Sequence, residues 1–231
     1  MQDKSTLSIK TFDVGPMLNI IYLIWNKKTK EAALVDPAWD LKDVLNFISD
    51  NNLILKNILL THSHHDHVNS IDLLLEKYDL PIYIHKKEAD FWNKKYDNLI
   101  TIHSEDKIYL GKSYISSIHT PGHTPGSCCY YFDKNLIAGD TLFVFGCGRC
   151  DLHGGNPEEM FKSLKKLKDN LDKTTIIMPG HNYSIKRQST LDEEISGNPF
   201  FSFNNLRDFI KYRMHDHDKT REEPYSPLTK S

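Results

Sequence analysis

The sequence predicts a layered α/β (α+β) fold, a four-layer αββα sandwich with a short C-terminal helical extension. Two observations predict it. Short apolar runs of strand length alternate with helix-spaced amphipathic segments, and they do so in two successive β-rich halves. The polar residues with the most chemistry in them also fall just past the ends of those apolar runs, where α/β folds place their sites.

Ile20 to Trp25 and Ala32 to Asp36 read as strands joined by a polar turn from Asn26 to Lys30. Leu41, Val44, Leu45 and Ile48 recur at helical spacing, with Asp40 as the expected N-cap. Asn57 to Thr61 is a short buried strand. A helix over Ile71, Leu74 and Leu75, a strand from Pro81 to His85 and a polar helix from Lys86 to Lys95 complete the first half. In the second half, Tyr114 to His119, Ser127 to Phe132 and Asn135 to Ala138 read as strands, the last two linked by a tight Asp133-Lys134 turn. A glycine-rich loop from Gly146 to Gly155 leads to a helix that opens at Pro157. Its apolar face is Met160, Phe161, Leu164, Leu167 and Leu171. Thr174 to Met178 is a further strand, ending at Pro179-Gly180-His181. Residues 1–185 are thus expected to form the sandwich, and residues 186–231 a helical segment and tail. Helices are expected at Leu191 to Ile195 and Leu206 to Met214. The polar stretch from His215 is expected to be loosely ordered or to lie along the surface.

At 231 residues, the chain can bury one substantial core with an appendage, or two small ones. A net charge of −2 and a pI near 6.6 give no support for nucleic-acid binding by charge, and no nucleic-acid partner is expected. No apolar run reaches membrane-spanning length and the start lacks the pattern of a signal peptide, so no membrane partner and a cytoplasmic location are expected. Oligomeric state is left open. Of the four cysteines, Cys147 and Cys150 form a C-x-x-C without a second such pair, so reduced structural or pocket-lining thiols are expected.

Four of the twelve histidines fall between His62 and His67, with Asp66 among them. Buried imidazoles and carboxylates are costly unless paired or bound to metal, and together they are common ligands of zinc or iron. His123 in Gly122-His123-Thr124-Pro125-Gly126, Asp140 in Ala138-Gly139-Asp140-Thr141 and His181 in Pro179-Gly180-His181-Asn182 each stand just past a predicted strand. Any one of these alone reads as a loop histidine or a turn aspartate. Together they supply five histidines and two aspartates, enough for two metal ions.

His62-x-His64-x-Asp66-His67, followed in order by His123, Asp140 and His181, resembles the metallo-β-lactamase superfamily from about Leu7 to Tyr183. The resemblance implies that His62, His64 and His123 hold one metal, that Asp66, His67 and His181 hold a second, and that Asp140 bridges them. His65 is expected to be a bystander. Two Zn²⁺ are the implied cofactors, with iron, as one or two ions, as the alternative. Hydroxide held by such ions attacks an electrophilic carbonyl, so a hydrolase is expected, with Asp140 and Asp66 as catalytic groups that hold the metals and orient the nucleophile.

Gly122-His-Thr-Pro-Gly126, Gly139-Asp-Thr-Leu-Phe143, Gly146-Cys-Gly-Arg149 and Gly180-His-Asn-Tyr183 are similar to glyoxalase II (hydroxyacylglutathione hydrolase)-like thioesterases. Arg149 and Tyr183 match that family's substrate-binding positions, while Asp151 departs from its usual aromatic residue, and the chain after His181 is shorter than its helical domain. That tail, with Asn198-Pro199-Phe200-Phe201 and Phe209 to Met214, together with Asp66-His67-Val68-Asn69, resembles acyl hydrolases associated with polyketide synthases. The implied substrate is a thioester of glutathione or of a carrier protein's phosphopantetheine. Arg149, Tyr183, Lys211 and Arg213 are the candidates for binding it. Two alternatives compete. Gly146-Cys-Gly-Arg-x-Asp151 and the Ser189–Pro199 pattern resemble persulfide dioxygenases, in which one iron would sit on His62, His123 and Asp140 and the substrate would be glutathione persulfide. Lactone hydrolysis is the other.

Overall fold

A computed structural model describes residues 6–221 and 223–228. The first sheet has the order β1 (Leu7–Val14), β2 (Asn19–Asn26), β3 (Glu31–Val35), β4 (Ile54–Leu59), β5 (Ile82–His85) and β6 (Leu99–Ile102). β1 to β3 pair antiparallel, and β3 to β6 pair parallel through helical crossovers. Those helices are α1 (Lys42–Asp50), α2 (His65–Val68), α3 (Ile71–Leu75) and α4 (Lys86–Trp92). The second sheet contains β7 (Lys107–Leu110), β8 (Ser113–His119), β9 (Cys128–Phe132), β10 (Asn135–Gly139), β13 (Ile176–Pro179) and β14 (Ser189–Thr190), with β10 and β13 parallel. Between β10 and β13 in the chain lie a separate short hairpin, β11 (Leu142–Phe143) and β12 (Gly146–Cys147), and then α5 (Pro157–Asn170).

Strand alternation explains the layers. On β2, Ile20, Tyr22 and Ile24 face the second sheet and meet Cys128, Tyr130, Ile137 and Met178. Ile21 and Leu23 face the other way, onto Val44 and Ile48 of α1 and Ile71 and Leu74 of α3. The outer face of the second sheet buries Leu136, Ala138 and Ile177 against Met160, Leu164 and Leu167 of α5. Helix, sheet, sheet, helix is therefore the observed order. Two buried tyrosines tie the layers at one edge, Tyr22 donating to the Pro179 carbonyl at 2.7 Å and Tyr130 to the Leu60 carbonyl at 2.9 Å.

The expected elements form, with some differences. β1, β6 and β7 were not legible, because they are half-exposed edge or near-edge strands without a clear apolar run. The Asp133-Lys134 turn is a hairpin with both residues at positive φ, 45° and 61°. The N-cap of α1 falls on Leu41, one residue after the expected Asp40, although the Asp40 carboxylate still accepts from the Lys42 N–H at 2.8 Å. Residues from 186 onward share the sandwich core. β14 extends the second sheet, and α6 (Leu191–Gly197) and α7 (Leu206–Lys211) lay Leu191 and Phe209 on α5's core with Phe200 and Phe201. After α7 the helix widens to a π-turn over Tyr212–Asp216 and continues as α8 (His217–Thr220). The stretch from His215 is less superficial than its polarity implied, since His217 and Tyr225 are buried. Its last three residues lie outside the described residues. No helix among the described residues is long and apolar enough to cross a membrane.

Candidate metal centre

Both sheets open at one edge, and five strand ends deliver polar residues there. β3 ends at Asp36, which takes the Thr61 N–H (2.7 Å) and hydroxyl (2.6 Å) and so pins the chain leaving β4. His62 and His64 follow, and α2 carries Asp66 and His67. The loop after β8 brings His123, and the loop after β13 brings His181. β10 turns at Gly139, where φ is +50° and an added Cβ would lie 2.5 Å from the Thr61 hydroxyl oxygen, so that Asp140 comes out beside them.

The ligand atoms gather in two groups. One ring nitrogen each of His62, His64 and His123 lie within 4.8 Å of one another, with His64 Nδ1 and His123 Nε2 2.9 Å apart. Asp66, His67 and His181 form the second group, with His67 Nε2 3.2 Å from His181 Nε2 and 3.5 Å from Asp66 Oδ2. Asp140 stands between them. Its Oδ2 is 3.5 Å from His123 Nε2 and 3.4 Å from His181 Nε2, and its Oδ1 is 3.3 Å from His67 Nε2.

The donor set fits divalent cations. Buried His62 Nε2 and Asp140 Oδ1 make no hydrogen bond, although buried polar atoms are almost always paired. The outward nitrogens, by contrast, are held. His67 Nδ1 meets Asp36 Oδ2 at 3.1 Å, His123 Nδ1 the Arg149 carbonyl at 2.8 Å and His181 Nδ1 the Met17 carbonyl at 2.8 Å. Each of these acceptors takes the ring proton and turns the other nitrogen's lone pair inward, as supporting partners of metal-bound histidines do. Asp36, His62 and His67 also gather as a trio, but the Asp36 oxygens are committed to Thr61 and His67 Nδ1. Asp36 is thus a support for the ligands.

Burial drives the His62 and His64 pKa values down and that of His123 to about 4, leaving neutral imidazoles, the form that binds metal. Burial acts on His67 in the same direction, but Asp140 and Asp36 outweigh it and raise its pKa. Burial would raise the Asp140 pKa, yet His181 and His67 hold it well below the usual carboxylate range.

The ligands form the base of a cavity of about 910 Å³, whose walls include Met17, Leu18, Phe143, Arg149, Tyr183 and Arg213. Tyr183 stacks on the His181 ring at 4.7 Å and 8°. Arg149 sits at the rim, paired with Asp151 through two bonds of 2.8 and 2.6 Å. Arg213 is buried and bonded to Asp218 at 2.7 Å, so it is not a solvated helix charge. Lys211 does not join these residues. It is exposed, pairs with Asp216 at 2.5 Å and does not line the cavity, because residues two apart on a helix face opposite sides and Arg213 takes the inner one. His65 is exposed and belongs to neither ligand group. All four cysteines are free and buried, and burial pushes the Cys147 thiol, which lines the cavity, up to about 12.

Three supporting residues escaped the sequence reading. Asp36 had a strand-end position as its only signal. Asn19 donates to Asp66 Oδ2 (2.9 Å) and accepts from the Trp39 indole (2.8 Å), and nothing in the sequence distinguishes it from a loop asparagine. Glu88 was one charge in a polar helix, yet it is fully buried. It accepts from the Ser63 N–H (2.8 Å) and hydroxyl (2.6 Å), the Thr124 hydroxyl (2.7 Å) and the Gly126 N–H (2.9 Å).

The chain is 33% identical over 201 residues, 87% of its length, to a probable polyketide biosynthesis zinc-dependent hydrolase, PksB of Bacillus subtilis, and the match covers 89% of that protein. It is 36% identical over 72% of its length to a hydroxyacylglutathione hydrolase of Shewanella loihica, of which the match covers 62%. In fold it is similar to the crystal structure of ETHE1 from Myxococcus xanthus, with a TM-score of 0.82, 25% identity and coverage of 90% of both chains. The sequence profile of the metallo-beta-lactamase superfamily matches residues 15–181, the span that holds both ligand groups and Asp140. With the sandwich and the gathered histidines and aspartates in view, the chain belongs to the metallo-beta-lactamase superfamily.

Proposed function

We propose that the chain is a metal-dependent thioester hydrolase with two zinc ions at the base of the cavity. The observation that carries this reading is the convergence of five histidines and two aspartates whose ligand atoms face one another, with the outward ring nitrogens of His67, His123 and His181 held by acceptors. His62, His64 and His123 would hold the first ion, Asp66, His67 and His181 the second, and Asp140 both. Ions bound there lower the pKa of coordinated water to about 7 and polarise a carbonyl oxygen.

The chain's own residues supply position. Asn19 orients the Asp66 carboxylate, and Asp36, Met17 and Arg149 fix the ring faces of His67, His181 and His123. Phe143 and Tyr183 give the cavity an apolar wall beside the ligands, which excludes water from one side of a bound acyl group. Arg149, the cation at the rim, is tied to Asp151 and offers little free charge to a carboxylate. That pairing and the near-complete coverage of PksB favour a carrier protein's phosphopantetheine arm over glutathione as the leaving thiol.

Metal content of protein purified without added metal, together with assays on S-lactoylglutathione and on acyl-pantetheine thioesters, tests the reading. It expects close to two zinc equivalents and cleavage of a thioester. One tightly bound iron with oxygen uptake on glutathione persulfide would overturn it. That outcome belongs to the second reading, a persulfide dioxygenase using His62, His123 and Asp140, which the Gly146-Cys-Gly-Arg-x-Asp151 sequence pattern favours.

A further inference from the structure

The C-terminal segment reaches the metal centre. Tyr225 behaves as a one-residue strand alongside the loop that follows His181. Its N–H donates to the Tyr183 carbonyl (2.8 Å), and its carbonyl accepts from the Ile185 N–H (3.0 Å) and the Ser184 hydroxyl (2.7 Å). The ring is buried with Phe143, Val144 and Phe145, edge-on to Tyr183 at 6.1 Å. It presses so closely on Gly146 that a Cβ there would lie 2.6 Å from the ring. Its hydroxyl accepts from Arg221 at 3.0 Å.

A second, smaller cavity of about 170 Å³ lies beyond this ring, walled by Phe145, Pro199, Tyr212, His217 and Leu228. Among the described residues, Arg221 and Tyr225 alone line both cavities, so these two side chains form the partition between them. The smaller cavity mixes aromatic and aliphatic side chains with Thr220, Arg221 and Ser226, adjoins no metal ligand, and has no part in the catalytic arrangement.

We propose that Tyr225 is a specificity-determining residue, a partition that limits how long an apolar chain the metal-centre cavity accepts. The inference rests on the proposed metal-dependent hydrolase, but only through metals at the base of the cavity and not through thioester cleavage. A ligand anchored on the metals extends along the cavity until it meets the Tyr225 ring. Removing the ring opens the smaller cavity to it, and each further methylene then gains buried contact.

The test uses the metal-loaded protein and straight-chain alkanethiols of two to ten carbons, whose sulfur is a soft metal ligand. Binding is measured by calorimetry, so the result does not depend on turnover. In the unaltered protein, affinity is expected to rise with chain length and then level off. In Tyr225→Ala the levelling is expected two or more carbons later, with about fourfold tighter binding per added methylene in that range. Tyr225→Leu keeps the backbone pairing and an apolar side chain, and it serves if the alanine variant does not fold. For it an intermediate shift is expected. The same levelling point in all folded, metal-replete proteins would overturn the partition. Absence of thioester cleavage together with a shifted levelling point would refute the thioesterase reading and leave the partition standing.

Discussion

Glu88 offers the sharpest test of how this centre is built. Ser63 lies between the ligands His62 and His64, and Thr124 is next to His123, so one buried carboxylate joins the two loops that carry the first ligand group. Glu88→Gln keeps one oxygen for the Ser63 N–H and hydroxyl but turns an NH₂ toward the Gly126 N–H, which then has no acceptor. Losing a hydrogen bond to a charged group and stranding a buried N–H costs about 2–3 kcal/mol. Glu88→Ala strands both backbone donors, Ser63 and Gly126, at about 1–3 kcal/mol each. The Thr124 hydroxyl retains Ser127 at 2.6 Å, so it adds little. Thermal unfolding of the metal-free protein should show the glutamine variant melting about 4–12 °C lower, at roughly 2–4 °C per kcal/mol for a domain of this size. Metal titration should show weaker binding at His62, His64 and His123 than at Asp66, His67 and His181. A glutamine variant that melts with the parent and binds metal equally well at both groups would show that the carboxylate does not staple the loops.

Two further outcomes follow from the same geometry. Asp140→Ala should lower metal content at both groups while the far-ultraviolet circular dichroism stays that of the parent, since Asp140 stands within 3.5 Å of ligands from each. Full metal content in that variant would remove Asp140 from the shared position. Glu194, buried beneath the loop at Phe145, has its pKa raised by burial to about 7, against donors from Ser189, Asn198 and Phe145. A carboxyl whose folded pKa is raised binds its proton more tightly when folded. Stability from this group is therefore full below the unfolded value of about 4.5 and is lost as pH rises to about 7, an effect of about 3 kcal/mol. Chemical denaturation across that range should show the falling component in the parent and its loss in Glu194→Gln; parallel profiles would refute it.

The sequence by itself determined the layers and which histidines and aspartates come together as candidate ligands. Alternation along β2 and the helical spacing on α1 and α5 encode which face each element buries, and burial of those faces specifies an αββα stack. The ligand residues were legible because their types and order are local facts of the chain, and each sits where a strand must end. What the sequence did not show is everything set by contacts between distant segments. Glu88 looks like any charge in a polar helix until Ser63 and Gly126, 25 and 38 residues away, close around it. Lys211 and Arg213 lie two residues apart and so on opposite sides of one helical stretch, and only the core that stretch packs against decides which of them turns inward. Tyr225 lies in a polar tail that local pattern reads as surface. Its burial comes from pairing with the backbone at Tyr183–Ile185 and from the space left open at Gly146, neither of which has a local signature. Periodicity and residue type are written in neighbouring residues, whereas a hydrogen-bond acceptor or a cavity wall exists only once the tertiary fold has brought its parts together.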